Sequence, residues 1–170
     1  IVNELNNRNE RPGVKIMTIH SYGWRSILMR YGSKVKMNPN KSIAKAEQVL
    51  ESHPEISVKK YGYYFFVVSK LLDLMRCNLT ENSVEAILEL SDHYDIDISE
   101  YDAGIVKEAY MKSYKDRSQF DFMDMIFVPI IEPTIRFQKF DYVFCDESQD
   151  FSIAQHEFIK NTLSRSGRLI

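Results

Sequence analysis

The spacing of apolar positions changes several times along the chain. Over Gly13–Ile19 (GVKIMTI), after the turn signal Pro12-Gly13, the residues are β-prone and predict a strand. From Ser21 the period becomes helical: Trp24, Ile27, Leu28 and Tyr31 stand at i, i+3, i+4, i+7, with Ser21 as N-cap and Gly32 as stop. Residues 32–40 read as a polar, basic loop. Ile43, Ala46 and Leu50 mark a second helix, and residues 57–76 a longer, very apolar one, although YYFFVV alone fits a strand equally well. Val84, Ile87 and Leu88 mark another. Ser99 with Asp102 resembles a capping box opening a helix through Ile105, Val106, Ala109 and Tyr110. FDFMDMIFVPII predicts a helix up to Pro129, with Pro133 at the exit. The run FDYVFCD (140–146) is almost continuously apolar, as expected for a strand buried on both faces of a parallel sheet. Ser152, with Gln155 at the capping-box position, opens a last helix that turns Ala154, Phe158 and Ile159 inward. Gly167 is expected to end it before RLI begins another strand.

This order predicts an α/β fold in which strands and helices at both ends flank a long helical insertion. The chain opens on IVNELNNR, which reads as the body of a helix, and stops on GRLI, which reads as a strand just beginning. It is therefore expected to be a fragment of a longer protein. Composition adds little against this: 44% hydrophobic, 27% charged and net −2 is ordinary for a soluble globular chain. The charge is unevenly placed, however. Residues 1–80 hold 13 Lys/Arg against 6 Asp/Glu (net +7), and residues 81–170 hold 9 against 18 (net −9). A basic half can attract phosphate backbones; two solvated faces of different sign are the plainer account. Cys77 and Cys145 have no metal-ligand spacing, the four histidines are scattered, and neither a disulfide framework nor a zinc site is expected. A reducing, intracellular setting is the default. The most apolar stretch, YYFFVVSKLLDLM, is interrupted by Lys70 and Asp73 and is too short to span a bilayer.

The chemistry concentrates in VFCDESQD (Val143–Asp150). In a parallel α/β sheet, ligands sit at the carboxyl ends of the strands. A carboxylate there, Asp146, can hold Mg²⁺, usually through water, and its neighbour Glu147 can orient or deprotonate an attacking water. The ordinary alternative is a solvated turn in which Asp146 or Asp150 caps the next helix.

FDYVFCDESQDFSIAQHEFI resembles the Walker B motif (motif II) of UvrD-like superfamily-one helicases: an apolar strand, D-E-x-Q-D, then a helix beginning S/T-x-x-Q. VKIMTIHSYGWRSIL resembles motif Ia of that family, and FDFMDMI its D-F-x-D-hydrophobic element; all three stand in family order. The resemblance implies a partial RecA-like (P-loop NTPase) parallel sheet. Residues 1–33 and 119–170 would be its two parts and residues 34–118 the inserted helical subdomain 1B. It implies an ATP-dependent DNA helicase, 3′→5′ in direction, working with Mg²⁺ and ATP. Asp146 would hold Mg²⁺, Glu147 would be the catalytic base, and Gln149 and Asp150 would join the nucleotide site to neighbouring motifs. Thr18 and His20 would lie on the path of single-stranded DNA, with Asp121, Phe122 and Asp124 beside it.

The chain also departs from the family. Ile19 stands where many members carry a stacking Phe; Tyr22 is the candidate substitute, while Trp24, on the apolar helix face, reads as core. No G-x-x-x-x-G-K-[ST] occurs, so the loop that cradles phosphates would lie upstream, and the second RecA-like domain elsewhere in the helicase. This chain alone is expected to be inactive. A non-catalytic helical binding or regulatory module with a degenerate helicase-like core is the alternative. A metal-dependent nuclease using Asp146, Glu147 and Asp150 would need further convergent carboxylates.

Overall fold

The computed structural model describes residues 13–56 and 61–170. The fold is mixed α/β, mostly helical, with two small parallel sheets among the described residues. Helix α1 (Ile19–Tyr31) begins earlier than its apolar spacing suggests, because Thr18 and not Ser21 is the N-cap. The Thr18 hydroxyl accepts the Ser21 amide at 3.1 Å, and Ser21 turns its own hydroxyl onto the Thr18 carbonyl at 2.8 Å. With this cap Ile19 is already helical, and the strand expected over Gly13–Ile19 does not form among the described residues. Gly32, at φ +81°, ends α1 and returns its amide to the Leu28 carbonyl.

The stretch read as a loop contains a strand, β1 (Lys36–Met37), which pairs in parallel with β2 (Gln119–Phe120). Four helices lie between them: α2 (Lys41–Glu51), α3 (Tyr61–Asn78), α4 (Val84–His93) and α5 (Glu100–Lys115). The helical block thus leaves and rejoins the rest of the chain at one place. Its core is its own: Val49, Leu71, Leu72, Met75, Ile87 and Val106 are fully buried in one cluster. Each such side chain contributes roughly 1.5–3 kcal/mol relative to exposure. The Ser99–Asp102 capping box forms at the head of α5. The start of α2 differs from expectation. Ile43 is exposed, and the buried positions there are Lys41 and Ser42.

Helix α6 (Phe122–Ile131) is the hub of the remainder. Phe127 and Val128 pack with Ile27 of α1 and Phe120, and Ile126 packs on the other side with Ala154 and Phe158 of α7 (Ile153–Lys160). Trp24 joins the first of these clusters, as its place on the apolar face predicts. Pro129 does not stop α6, which runs on to Ile131. Proline has no N–H, so the Met125 carbonyl four residues back loses its helical donor. That carbonyl faces α1: a Cβ on Gly23 would lie 1.8 Å from the Met125 oxygen.

Strands β3 (Phe140–Val143) and β4 (Leu163–Leu169) pair in parallel on either side of α7, whose Ser152–Gln155 capping box forms as predicted. β3 is not buried on both faces. Tyr142 and Phe144 are 60% and 73% exposed, because β4 is its one partner among the described residues and no helix covers that side. Helix α7 ends at Lys160, and Gly167 lies inside β4 rather than ending the helix. A Cβ on Gly167 would meet the Phe140 carbonyl at 2.9 Å, at the register shift of the pair. Among the described residues no helix is long and apolar enough to cross a membrane.

Candidate functional site

The β3–β4 ladder carries the chain to the acidic turn. The Ile170 amide bonds the Val143 carbonyl at 2.9 Å, and the Cys145 amide bonds the Ile170 carbonyl at 3.0 Å, so Asp146 is the first residue beyond the last rung. There the backbone reverses. Glu147 sits in the left-handed region (φ 52°, ψ 35°), and Ser148–Asp150 form a single 3₁₀ turn closed by the Asp150 amide on the Glu147 carbonyl. A non-glycine residue in that region costs on the order of 1–2 kcal/mol, a conformation that clusters at functional turns. The effect is to turn Asp146, Glu147, Gln149 and Asp150 all into solvent at the end of the strand. Gln149 Nε2 donates to Glu147 Oε2 and holds that carboxylate in place. Asp146 makes no hydrogen bond or ion pair among the described residues, so its oxygens are available. Among those residues, no three His, Cys, Asp or Glu side chains form a metal cage. A single exposed carboxylate fits Mg²⁺, which keeps several waters and takes its other ligands from phosphates.

The second group of candidates lies on α1 and the head of α6. Thr18 is spent on capping α1. His20, two residues on, meets the Phe122 ring edge-on, with centroids 6.3 Å apart. Phe122 is 54% exposed. Burial holds His20 below its usual pKa of 6.5, so the imidazole is neutral near pH 7. Tyr22 faces the other way. Its hydroxyl donates to the Gln138 carbonyl and accepts the Gln138 amide at 2.7 Å, and its ring packs against Phe137, Phe140 and Phe158. Tyr22 therefore fastens the first turn of α1, with Thr18 and His20, to Gln138 and Phe140 at the head of the strand that leads to Asp146.

Asp121 is 4% exposed and lies under this surface, not on it. It N-caps α6 and forms a capping box with Asp124. Two buried cations from the helical block meet this pair. Arg76 of α3 reaches both Asp121 oxygens at 2.9 Å and Asp124 at 3.4 Å, and Lys41 of α2 reaches Asp124 at 2.7 Å. Ser42 donates to Asp121 at 2.6 Å and accepts from Arg76. Burial works to raise the Asp121 pKa, but the Arg76 charge and these hydrogen bonds outweigh it and hold the carboxyl below its usual value. The same carboxylates raise Arg76 despite its own burial. Sequence reasoning missed Lys41, Ser42 and Arg76. The sequence carries no distinct signal for them, since α2 and α3 hold other charged residues, among them Lys45, Glu47, Lys70 and Asp73, that stand out equally.

The family model of the UvrD/REP helicase N-terminal domain matches residues 2–170. The chain belongs to this helicase family. No curated protein and no solved structure gives a match. As a UvrD/REP helicase N-terminal domain, the chain comes from a family with helicase and ATPase activity, which makes ATP and DNA the ligands to consider for its two groups of side chains.

Proposed function

We propose that this chain is part of the motor of an ATP-dependent DNA helicase that couples hydrolysis of Mg-ATP to 3′→5′ movement along single-stranded DNA. The observation that carries the reading is the Asp146–Glu147 turn: two exposed carboxylates at the carboxyl end of a parallel strand, in a chain of the UvrD/REP family. Residues 1–33 and 119–170 are assigned to a RecA-like core and residues 34–118 to a 1B-like insertion. The separate core of the helical block and its single root at β1 and β2 support that division.

Bound Mg²⁺, held at Asp146 through water, would neutralise charge on the nucleotide phosphates. A carboxylate oxygen of Glu147 accepts a proton from the attacking water. Gln149 orients that carboxylate, and with Asp150 it links the nucleotide site to its surroundings. His20 and Phe122 offer neutral rings to the bases of the strand, and Tyr22 sets the place of His20 from behind. Thr18 serves the strand by fixing the first turn of α1. Exposed Arg25, Lys34 and Lys36 supply positive charge near α1 and β1 for the phosphates. The phosphate-binding loop and second RecA-like domain would be supplied by the rest of the helicase, and this chain alone is inactive on this reading.

Glu147→Gln in the full-length protein tests the assignment. Turnover of ATP stimulated by single-stranded DNA is expected to fall by about 10²-fold or more, the contribution of a positioned general base. Stimulated turnover indifferent to Glu147→Gln removes Glu147 as the base. Absence of any turnover in the unaltered full-length protein favours the non-catalytic binding module instead.

A further inference from the structure

The buried ionic cluster is built around one backbone position. Asp121 Oδ1 accepts the Asp124 amide at 2.8 Å and Arg76 Nη1 at 2.9 Å; Oδ2 accepts Arg76 Nη1 at 2.9 Å and Ser42 Oγ at 2.6 Å. Every partner except Asp124 comes from the helical block. The residue so gripped is the N-cap of α6, and an N-cap fixes how the chain enters the first helical turn. The next residue, Phe122, opens that turn and points outward to its edge contact with His20. A fully hydrogen-bonded buried network has one arrangement, and the planar guanidinium fork makes that arrangement specific to arginine.

We infer that Arg76 is a positioning residue for single-stranded DNA: through Asp121 it fixes the place at which Phe122 and His20 present their rings to a base. The inference rests on the proposed function, since it needs Phe122 to touch the strand. It makes the helical block a determinant of strand binding without contact between Arg76 and the DNA.

The test uses the full-length protein and an oligodeoxythymidylate carrying one 2-aminopurine, whose fluorescence reports stacking. Phe122→Ala is expected to weaken binding about tenfold and to reduce the fluorescence change on binding. Arg76→Lys keeps the charge and loses the fork, and is expected to weaken binding several-fold with the same reduced fluorescence change. Its dependence of affinity on salt should match that of the unaltered protein, because no phosphate contact is removed. Added to Phe122→Ala, it should have almost no further effect, because it acts through that ring. Ser42→Ala removes one bond to Asp121 and leaves all charges, so it serves as the second variant where Arg76→Lys does not fold. It should show the same dependence on Phe122 at smaller amplitude. Effects that add in full to Phe122→Ala, or a fluorescence change equal to that of the unaltered protein, overturn the positioning role. If Phe122→Ala itself leaves binding and fluorescence unaltered, the ring does not meet the strand. The proposed DNA site then fails and the positioning role falls with it.

Discussion

Replacing Lys41 by methionine isolates the energetics of the buried cluster. Methionine keeps an unbranched apolar stem, so the main loss is the ammonium, which lies 2.7 Å from Asp124 with the two side chains 0% and 4% exposed. Removing one partner of a buried ion pair typically costs about 3–5 kcal/mol, because the other charge is left without compensation. Asp124 keeps Arg76 at 3.4 Å and the Asp121 amide at 3.2 Å, so the low end, about 3 kcal/mol, applies here. At about 2–4 °C per kcal/mol for a chain of this size, the melting temperature at pH 7 should fall by about 6–12 °C. Lys160→Met is the control: its partner Glu157 is 3.7 Å away and the side chains are 66% and 41% exposed, so the change should stay within about 1 kcal/mol. In a calorimetric melt, Lys41→Met combined with Asp124→Asn should be less damaging than the sum of the single changes, since no buried carboxylate is then stranded. A Lys41→Met melt within about 2 °C of the unaltered protein, or strict additivity in the double variant, would refute this account of the cluster.

The pH dependence should follow the same residues. Asp121 is held below its usual value of 3.8, so its contribution is complete above about pH 4 and is lost as pH falls through the lower folded value; Asp121→Asn should flatten the acid limb of a stability–pH curve. His53 is raised above 6.5, chiefly by its hydrogen bond to Glu55 and also by Glu108, against opposing burial. Its contribution is present below pH 6.5 and lost as pH rises through the folded value, whereas His20, lowered by burial, loses stability as pH falls below 6.5. Proton NMR should place the two midpoints on opposite sides of 6.5, and the reverse order would contradict both assignments. Gly23→Ala ordinarily gains about 1 kcal/mol in a helix interior. Here the new Cβ would stand 1.8 Å from the Met125 oxygen, and a net loss of at least about 2 kcal/mol is expected in a denaturant melt.

Elements whose signal is local were legible in the chain. The Ser99–Asp102 and Ser152–Gln155 boxes, the Gly32 stop and the apolar face of α1 depend on residues within one or two turns, and each forms where its spacing indicates. The misses needed information from far along the chain. A two-residue strand such as Lys36–Met37 has no period to detect; it exists because Gln119–Phe120 lies alongside. Phe140–Asp146 has the composition of a doubly covered strand, but its covering depends on neighbours that the run itself does not encode. Pro129 reads as a stop, yet α6 runs on to Ile131, and the carbonyl that the proline leaves without a helical donor faces Gly23 of another helix. In the candidate site, the acidic turn was visible as a cluster in sequence. The left-handed Glu147 that turns its side chains outward was not, since nothing about glutamate favours that conformation.

The charge asymmetry of the chain takes on a different meaning once the cluster is known. Lys41 and Arg76 come from the basic half, Asp121 and Asp124 from the acidic half, and all four disappear into one nearly solvent-free junction. Part of the imbalance that suggests attraction to an external polyanion is thus spent inside the molecule, joining the two halves. Replacing such a cluster by apolar residues is often neutral or stabilising, so stability alone gives little reason for four ionic groups here. Geometry does. Apolar contacts tolerate sliding, whereas a carboxylate accepting four hydrogen bonds from three elements fixes both the distance and the angle between them. The residue so fixed is the one before Phe122, at the edge of the surface where a DNA strand would run. A joint of that kind holds the N-cap of α6 in one register against the helical block, which a larger hydrophobic core would not do.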